Sequence, residues 1–286
     1  MQPSEKIPQQ ELEFEMPCGL KIKADAFGNA DAPSVLLAHG GGQTRHSWGN
    51  TAKLLAAQGW HAIAYDHRGH GESDWAKDAN YDLQVFAEDQ LHIAECLPDR
   101  PVVVGASLGG LSAMLACGES KEMPYKAIIL VDITPRMNLE GARDIIGFMS
   151  ERMDEGFESL DEAADVIANY TKRPRRKNTD GLRKNLRLGD DGRYRWHWDP
   201  NFTRQRMFGA KLGLPERMEK AVAQIHEPIL LVRGAKSNLV TEELAQEFLQ
   251  AVPHAEFVDV ENAHHMVAGD KNDIFSAAVI DFLKRL

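Results

Sequence analysis

The residues best suited to chemistry lie in Gly105-Ala106-Ser107-Leu108-Gly109, a G-x-S-x-G spacing. A serine hydroxyl is a weak nucleophile until a base takes its proton, and the oxyanion it creates needs donors. The motif is short, so its context decides its weight. An apolar run at 101–105 leads in as a strand, and 108–118 leads out with the pattern of a helix. Small neighbours suit a tight, strained turn that lifts the Ser107 hydroxyl above a sheet. The Leu108 N–H would then sit at a helix N-terminus, where it can stabilise developing negative charge. The competing reading is a glycine-rich turn with a serine that merely caps the helix.

A second set of donors is offered by His39-Gly40-Gly41-Gly42, which follows the apolar run at 34–38. Three glycines let backbone approach a substrate closely, so Gly41 or Gly42 is expected to supply the oxyanion donor beside Leu108. His39 is expected to brace this loop. The spacing matches neither G-x-G-x-x-G nor a lysine-bearing phosphate loop. The base for Ser107 should be a histidine, whose pKa is near neutrality. Eleven are present. The candidates follow a late strand at 256–260, in Asn262-Ala263-His264-His265-Met266. By spacing alone either His264 or His265 could serve.

The elements needed to hold these residues are legible as alternation. Leu12, Phe14 and Met16 alternate with glutamates, and after a Pro17-Cys18-Gly19 turn Leu20, Ile22 and Ala24 alternate with charged residues, which predicts a hairpin. Strands are then expected at 34–38, 61–65, 101–105, 126–131, 228–232 and 256–260. Helices are expected at 47–58, 82–97, 108–118, 242–251 and 273–285. Short runs that are apolar throughout suit strands buried on both faces, so the pattern predicts an α/β fold with a mostly parallel sheet flanked by helices. The rhythm stops at 136–215, which carries helical patterns at 139–154 and 160–171, no clear strand, and the aromatic stretch Tyr194-Arg195-Trp196-His197-Trp198. The expected division is a core of 1–135 and 216–286 with a helical cap at 136–215.

Composition narrows the function. A net charge of −10 argues against general nucleic-acid binding. Residues 172–217 nonetheless hold 14 basic against 5 acidic side chains. This is either a solvated surface or a positive lip for an anionic substrate. No run approaches the length of a membrane span, and the N-terminus has no signal pattern, so a cytoplasmic protein without membrane partners is expected. Cys18, Cys96 and Cys117 are widely spaced with no CxxC pair, which points to neither disulfides nor zinc. No HExxH occurs, and no metal or other cofactor is expected. The expected partner is a small-molecule substrate.

Four ordered motifs together resemble the α/β-hydrolase superfamily: Gly105–Gly110, the His39–Gly42 loop, Asp66-His67-Arg68-Gly69-His70-Gly71-Glu72-Ser73, and His265-Met266-Val267-Ala268-Gly269-Asp270. The resemblance is to its cap-bearing esterase, lactonase, epoxide-hydrolase-like and cofactor-free haloperoxidase-like branches. It implies the α/β-hydrolase fold and selects His265 as base, with His264 in the place of the usual glycine. It implies that Arg68 braces a structural turn. It also implies an acid after the strand at 228–232, where this chain has Asn238, or after the preceding strand, where it has Asp132. An amide carries no charge and can select the wrong imidazole tautomer, so the choice matters. Three outcomes follow: Asp132 as the acid, Asn238 orienting alone, or an inactivated or ligand-binding homologue. Trp48, Trp196 and Trp198, with Phe148, Phe202, Phe208, Met137, Met149 and Met153, are candidates for an apolar pocket wall. The cap tryptophans could equally be cap core. The expected function is serine hydrolysis of a carboxylic ester or lactone. The alternatives are cofactor-free perhydrolysis and a weakly catalytic ligand-binding homologue.

Overall fold

A computed structural model describes residues 7–171, 174–175, 178–208, 214–261, 263–265 and 272–286. Lys172, Arg173, Arg176 and Lys177 of the basic run, Asn262, and the motif residues Met266 to Asp270 lie outside the described residues.

Eight strands make one sheet: β1 (Gln9–Glu15), β2 (Lys21–Phe27), β3 (Ser34–Ala38), β4 (His61–Tyr65), β5 (Val102–Ala106), β6 (Ala127–Val131), β9 (Ile229–Gly234) and β10 (Glu256–Val260). Their order is β1-β2-β4-β3-β5-β6-β9-β10. The β1–β2 hairpin joins β4 antiparallel, and every pairing from β4 onward is parallel. β3, β4, β6 and β9 are buried at every position, as strands covered on both faces must be.

The covering layers come from helices that bury an apolar face, except the helix that follows Ser107, which is buried all round over residues 108–117. On one face lie α1 (Gly49–Ala57) and α9 (Asn272–Leu283), which bury Trp48, Leu55, Phe275 and Phe282 against the sheet. On the other lie α2 (Leu83–Glu95), α3 (Leu108–Glu119), α7 (Leu214–Val222) and α8 (Glu242–Ala251), with Phe86, Met114, Met218 and Phe248 in the core. Each such side chain contributes roughly 1.5–3 kcal/mol when fully buried. α7 was not expected from the sequence. It packs so closely on α3 that a Cβ on Gly118 would lie 2.2 Å from Ala221 Cα.

Between β6 and α7 the chain leaves the sheet. This insertion holds α4 (Leu139–Ser150), α5 (Leu160–Thr171), a short antiparallel pair β7 (Leu186–Leu188) and β8 (Tyr194–Trp196), and α6 (Pro200–Phe208). The β7–β8 pair corrects the expectation of no strand here. Three residues per strand are too few for alternation to show in a sequence.

The sheet order reverses at β3: α1 leads from β3 to β4 on one side, while β5 pairs on the other. Loops leaving adjacent strands on opposite sides open a crevice at the carboxyl ends, where open α/β sheets bind ligands. The glycine loop after β3 and Ser107 after β5 flank that crevice.

Candidate active site

Ser107 ends β5 and caps α3 with φ +45° and ψ −109°, a conformation that L residues rarely adopt. Such strain costs on the order of 1–3 kcal/mol and persists only where the surroundings impose it. Here they do. A Cβ on Gly105 would fall 2.5 Å from Gly110 N, and one on Gly109 would fall 2.5 Å from the Ala38 carbonyl oxygen. The strand and helix are therefore folded onto each other and onto β3 through glycine. The Ser107 N–H donates to the Val131 carbonyl of β6 at 3.2 Å. Leu108 is the first residue of α3, so its N–H belongs to the open end of the helix.

Asp132 follows Val131 and is the next non-glycine residue with positive φ in this region, at +50°. It is fully buried. Its Oδ1 accepts from the Gly234 N–H at 3.0 Å. Its Oδ2 accepts from the Ser237 hydroxyl at 2.5 Å and from His265 Nδ1 at 2.7 Å. Because β5 and β6 pair with Ala106 opposite Val131, Ser107 and Asp132 leave the sheet side by side. Ser107, Asp132 and His265 thus lie at one end of the sheet. Among the described residues, no hydrogen bond joins the Ser107 hydroxyl to His265.

Asn238 is not part of this arrangement. It is exposed, in the bend after β9, and its backbone packs on Gly141 of α4. The alternative in which Asn238 orients His265 is therefore set aside: the imidazole is already bonded to a buried carboxylate. Ser237, one residue earlier, was not singled out from the sequence. A hydroxyl in a loop carries no signal of its own.

The glycine loop passes beside Ser107: a Cβ on Gly40 would lie 3.4 Å from Ser107 Cβ. His39 braces the loop. Its Nε2 accepts from the His67 N–H at 3.0 Å, which leaves Nδ1–H to donate to the Gly40 carbonyl at 2.7 Å. Burial pushes the His39 pKa down to about 4, so it holds this tautomer as a neutral ring. Gln43 closes the loop by accepting the Gly40 N–H. Gly41 and Gly42 lie under the insertion. Phe202 Cζ is 3.2 Å from the Cβ position of Gly41, and Met149 Cε is 3.0 Å from that of Gly42.

His197 ties the same parts together from the insertion. Its Nδ1 accepts from the Gly71 N–H at 2.8 Å, and its Nε2 lies 3.4 Å from the Gly42 carbonyl oxygen. Burial drives its pKa well below the ordinary value. Asp199 N–H donates to the Gly69 carbonyl, and the Tyr81 hydroxyl donates to Asp199. Arg68 braces the 66–73 turn through two 2.6 Å bonds to Asp89 of α2.

The tryptophans have other roles. Trp48 is 1 % exposed and packs on Phe275 at 5.9 Å under α1 and α9. The expectation that it lines a pocket is corrected: as the end of a 3₁₀ turn it faces the sheet layer and not the crevice. Trp196 and Trp198 stack at 4.8 Å, and Trp196 meets Phe148 and Phe157 edge-on, so both build the insertion's own core. A hollow of about 350 Å³ on the hairpin, lined by Glu11, Leu12, Glu13, Lys23, Ala24, Arg45 and Glu72, includes none of the residues above the sheet. No helix among the described residues is long and apolar enough to cross a membrane, and no three His, Cys, Asp or Glu side chains among them group as metal ligands.

The arrangement is that of a serine hydroxyl, an imidazole and a buried carboxylate at the carboxyl edge of a parallel sheet. The model of the alpha/beta hydrolase family matches residues 35–278. The chain belongs to the α/β-hydrolase family. This α/β-hydrolase is 31 % identical to the esterase Rv0045c of Mycobacterium tuberculosis over 87 % of this chain and 82 % of that protein. A solved structure of that esterase aligns with TM-score 0.76 over 99 % of this chain and 93 % of its own. The 3-hydroxybutyrate-oligomer hydrolase of Cupriavidus necator is 25 % identical over 87 % of this chain and 88 % of its length. An α/β hydrolase of Novosphingobium aromaticivorans shares the fold with TM-score 0.81 at 24 % identity, covering 97 % and 99 % of the two chains. Relatives named as esterases and hydrolases support a hydrolytic activity for this α/β-hydrolase.

Proposed function

We propose that this α/β-hydrolase cleaves a carboxylic ester or lactone through an acyl-Ser107 intermediate. The observation that carries the reading is the 2.7 Å bond from His265 Nδ1 to the buried Asp132, beside a serine held at φ +45°. Ser107 Oγ attacks the carbonyl carbon while His265 Nε2 takes its proton. Asp132 orients the ring and stabilises the imidazolium. The oxyanion is met by the Leu108 N–H and by Gly41 or Gly42. The C–O bond then breaks, and the leaving oxygen takes the proton from His265. Water, deprotonated by the same imidazole, attacks the acyl carbon and returns Ser107 with release of the acid. The serine–imidazole hydrogen bond this requires commonly tightens only once substrate is bound. The insertion at 136–215 acts as a cap over the small-molecule substrate, with Phe202 and Met149 at the glycine loop.

Esterase and oligoester-hydrolase relatives favour an ester bond. The weakly catalytic reading rested on Asn238 as a lost acid. Asp132 bonded to His265 withdraws that support. The test is covalent labelling by a fluorophosphonate, with hydrolysis of p-nitrophenyl esters and lactones of graded length. Labelling and turnover are both expected to vanish in Ser107→Ala. Turnover of those substrates by Ser107→Ala at the wild-type rate would refute the proposal.

A further inference from the structure

We infer that the loop after β9 serves as a fixture for the acid and the base, with Ser237 as a positioning residue that holds and shares the charge of Asp132. This rests on Asp132 and His265 acting as proposed above.

A serine hydroxyl has one hydrogen to donate and two lone pairs to accept with. Both lone pairs of Ser237 are occupied, by the N–H groups of Leu239 at 3.1 Å and Val240 at 3.3 Å. Its hydrogen has one destination, Asp132 Oδ2 at 2.5 Å. That oxygen is the one facing His265 Nδ1. The hydroxyl is therefore a fixed donor that competes with the imidazolium for the same negative charge. The loop reaches the other partners as well. The Gly234 N–H binds Oδ1, and the Lys236 N–H donates to the Ala263 carbonyl at 2.8 Å, two residues before His265. A Cβ on Gly234 would strike the carbonyl oxygens of His264 and Ala263 at 2.5 and 2.7 Å. One turn of chain, 234–237, thus grips the carboxylate from β6 and the loop carrying the base. The family resemblance pointed to this loop as one possible source of an acid. The structure points to it as the holder of an acid that comes from elsewhere.

Removing the hydroxyl leaves more of the Oδ2 charge to the imidazolium. In Ser237→Ala the acidic limb of the kcat/KM profile on p-nitrophenyl acetate is expected to move up by roughly half to one pH unit, as loss of one hydrogen bond to a charged group predicts. Ser237→Thr keeps the donor and should return the limb to its wild-type position. The far-downfield NMR signal of the His265 Nδ1 proton should shift in Ser237→Ala and recover in Ser237→Thr, which reads the same bond without turnover. A purely structural role would lower the unfolding midpoint and leave limb and signal in place. That result, or a Thr variant that behaves like Ala, overturns the inference. If Ser237→Ala does not fold, Ser237→Cys, a much weaker donor, must shift the limb in the same direction, and an unmoved limb overturns it equally. Failure of the underlying reading has a different mark: Asp132→Asn would then keep the full rate.

Discussion

The two ends of the site are held by different means. At the acid end, Asp132, His265 and Ser237 are fixed by turns at the ends of neighbouring strands of one sheet, with bonds of 2.5 to 3.0 Å and a fully buried carboxylate. At the glycine end, Gly41 and Gly42 owe their place to side chains from a distant part of the chain. His197 is 155 residues from Gly42 and 126 from Gly71. Phe202 and Met149 also come from the insertion. The acid end is held chiefly by strand ends, while the glycine end, braced within the core by His39 and Gln43, is also packed by the insertion. Donor geometry should therefore respond more strongly to insertion packing than the Asp132–His265 geometry does.

The largest effect should come from the end that the sheet makes. Asp132→Asn keeps the shape but removes the charge and allows the wrong tautomer, so kcat is expected to fall by up to about 10⁴-fold. Fluorophosphonate labelling should slow in parallel, with KM little changed, because no substrate contact is lost. Steady-state kinetics on p-nitrophenyl esters reads this. A loss confined to KM would mean that the acid end binds substrate and does not orient the base.

A smaller loss is expected at the other end. His197→Phe fills the space but cannot accept the Gly71 N–H or face the Gly42 carbonyl. Displacement of a donor by about an ångström costs on the order of 10²-fold, so kcat should drop roughly 10- to 100-fold. In His197→Asn the side-chain oxygen can stand in for Nδ1, and most of the activity should return. Equal losses in both variants would show that the imidazole matters as bulk, and the coupling drawn above would fail.

Ser107 and the strands were more legible in the sequence than the side chains that pack the glycine loop, for a physical reason. Ser107 announces itself because a strained turn demands glycines at fixed offsets, at 105 and 109. Runs such as Val35-Leu36-Leu37 and Ile128-Ile129-Leu130 announce strands because both of their faces are buried. Asp132 was named through the family resemblance, which allows an acid at the end of this strand or at the position held by Asn238. What closes the glycine loop gave no such sign. His197, Phe202 and Met149 act through tertiary contacts, and an aromatic stretch reads the same whether it faces a crevice or packs on itself. Trp48 and Trp196 show the cost of that ambiguity: both are buried in cores.

The coupling can be sharpened with pH. His39 is fully buried with its pKa lowered to about 4 from 6.5, and burial also depresses His197. Both belong to the glycine end. A depressed histidine binds its proton more readily in the unfolded chain, so its contribution to stability is complete above pH 6.5. It is lost as pH falls toward 4, and for His39 the loss totals about 3 kcal/mol. Between pH 6.5 and 5, before the carboxylates titrate, the thermal midpoint should already decline. His39→Gln should flatten that decline. An unchanged slope would mean that His39 is not a buried neutral ring.

The smallest expected effect is the most discriminating about origin. Asn238 stands where the resemblance to other α/β-hydrolases placed an acid, one residue after Ser237. If the chain had lost its acid there, Asn238→Asp would raise esterase activity strongly. The geometry predicts no such gain. Asn238 is exposed, and the imidazole nitrogen it would need is bonded to Asp132. Asn238→Ala and Asn238→Asp should therefore both stay within about twofold of wild type in kcat/KM, as surface substitutions away from such networks do. In the Asp132→Asn background the aspartate variant is the sharper case. Rescue there would require the bend at 238 to swing toward His265, which its packing on Gly141 opposes. Recovery of even a hundredfold in that double variant would show that the loop after β9 can still deliver an acid, and that its present role as a holder is reversible.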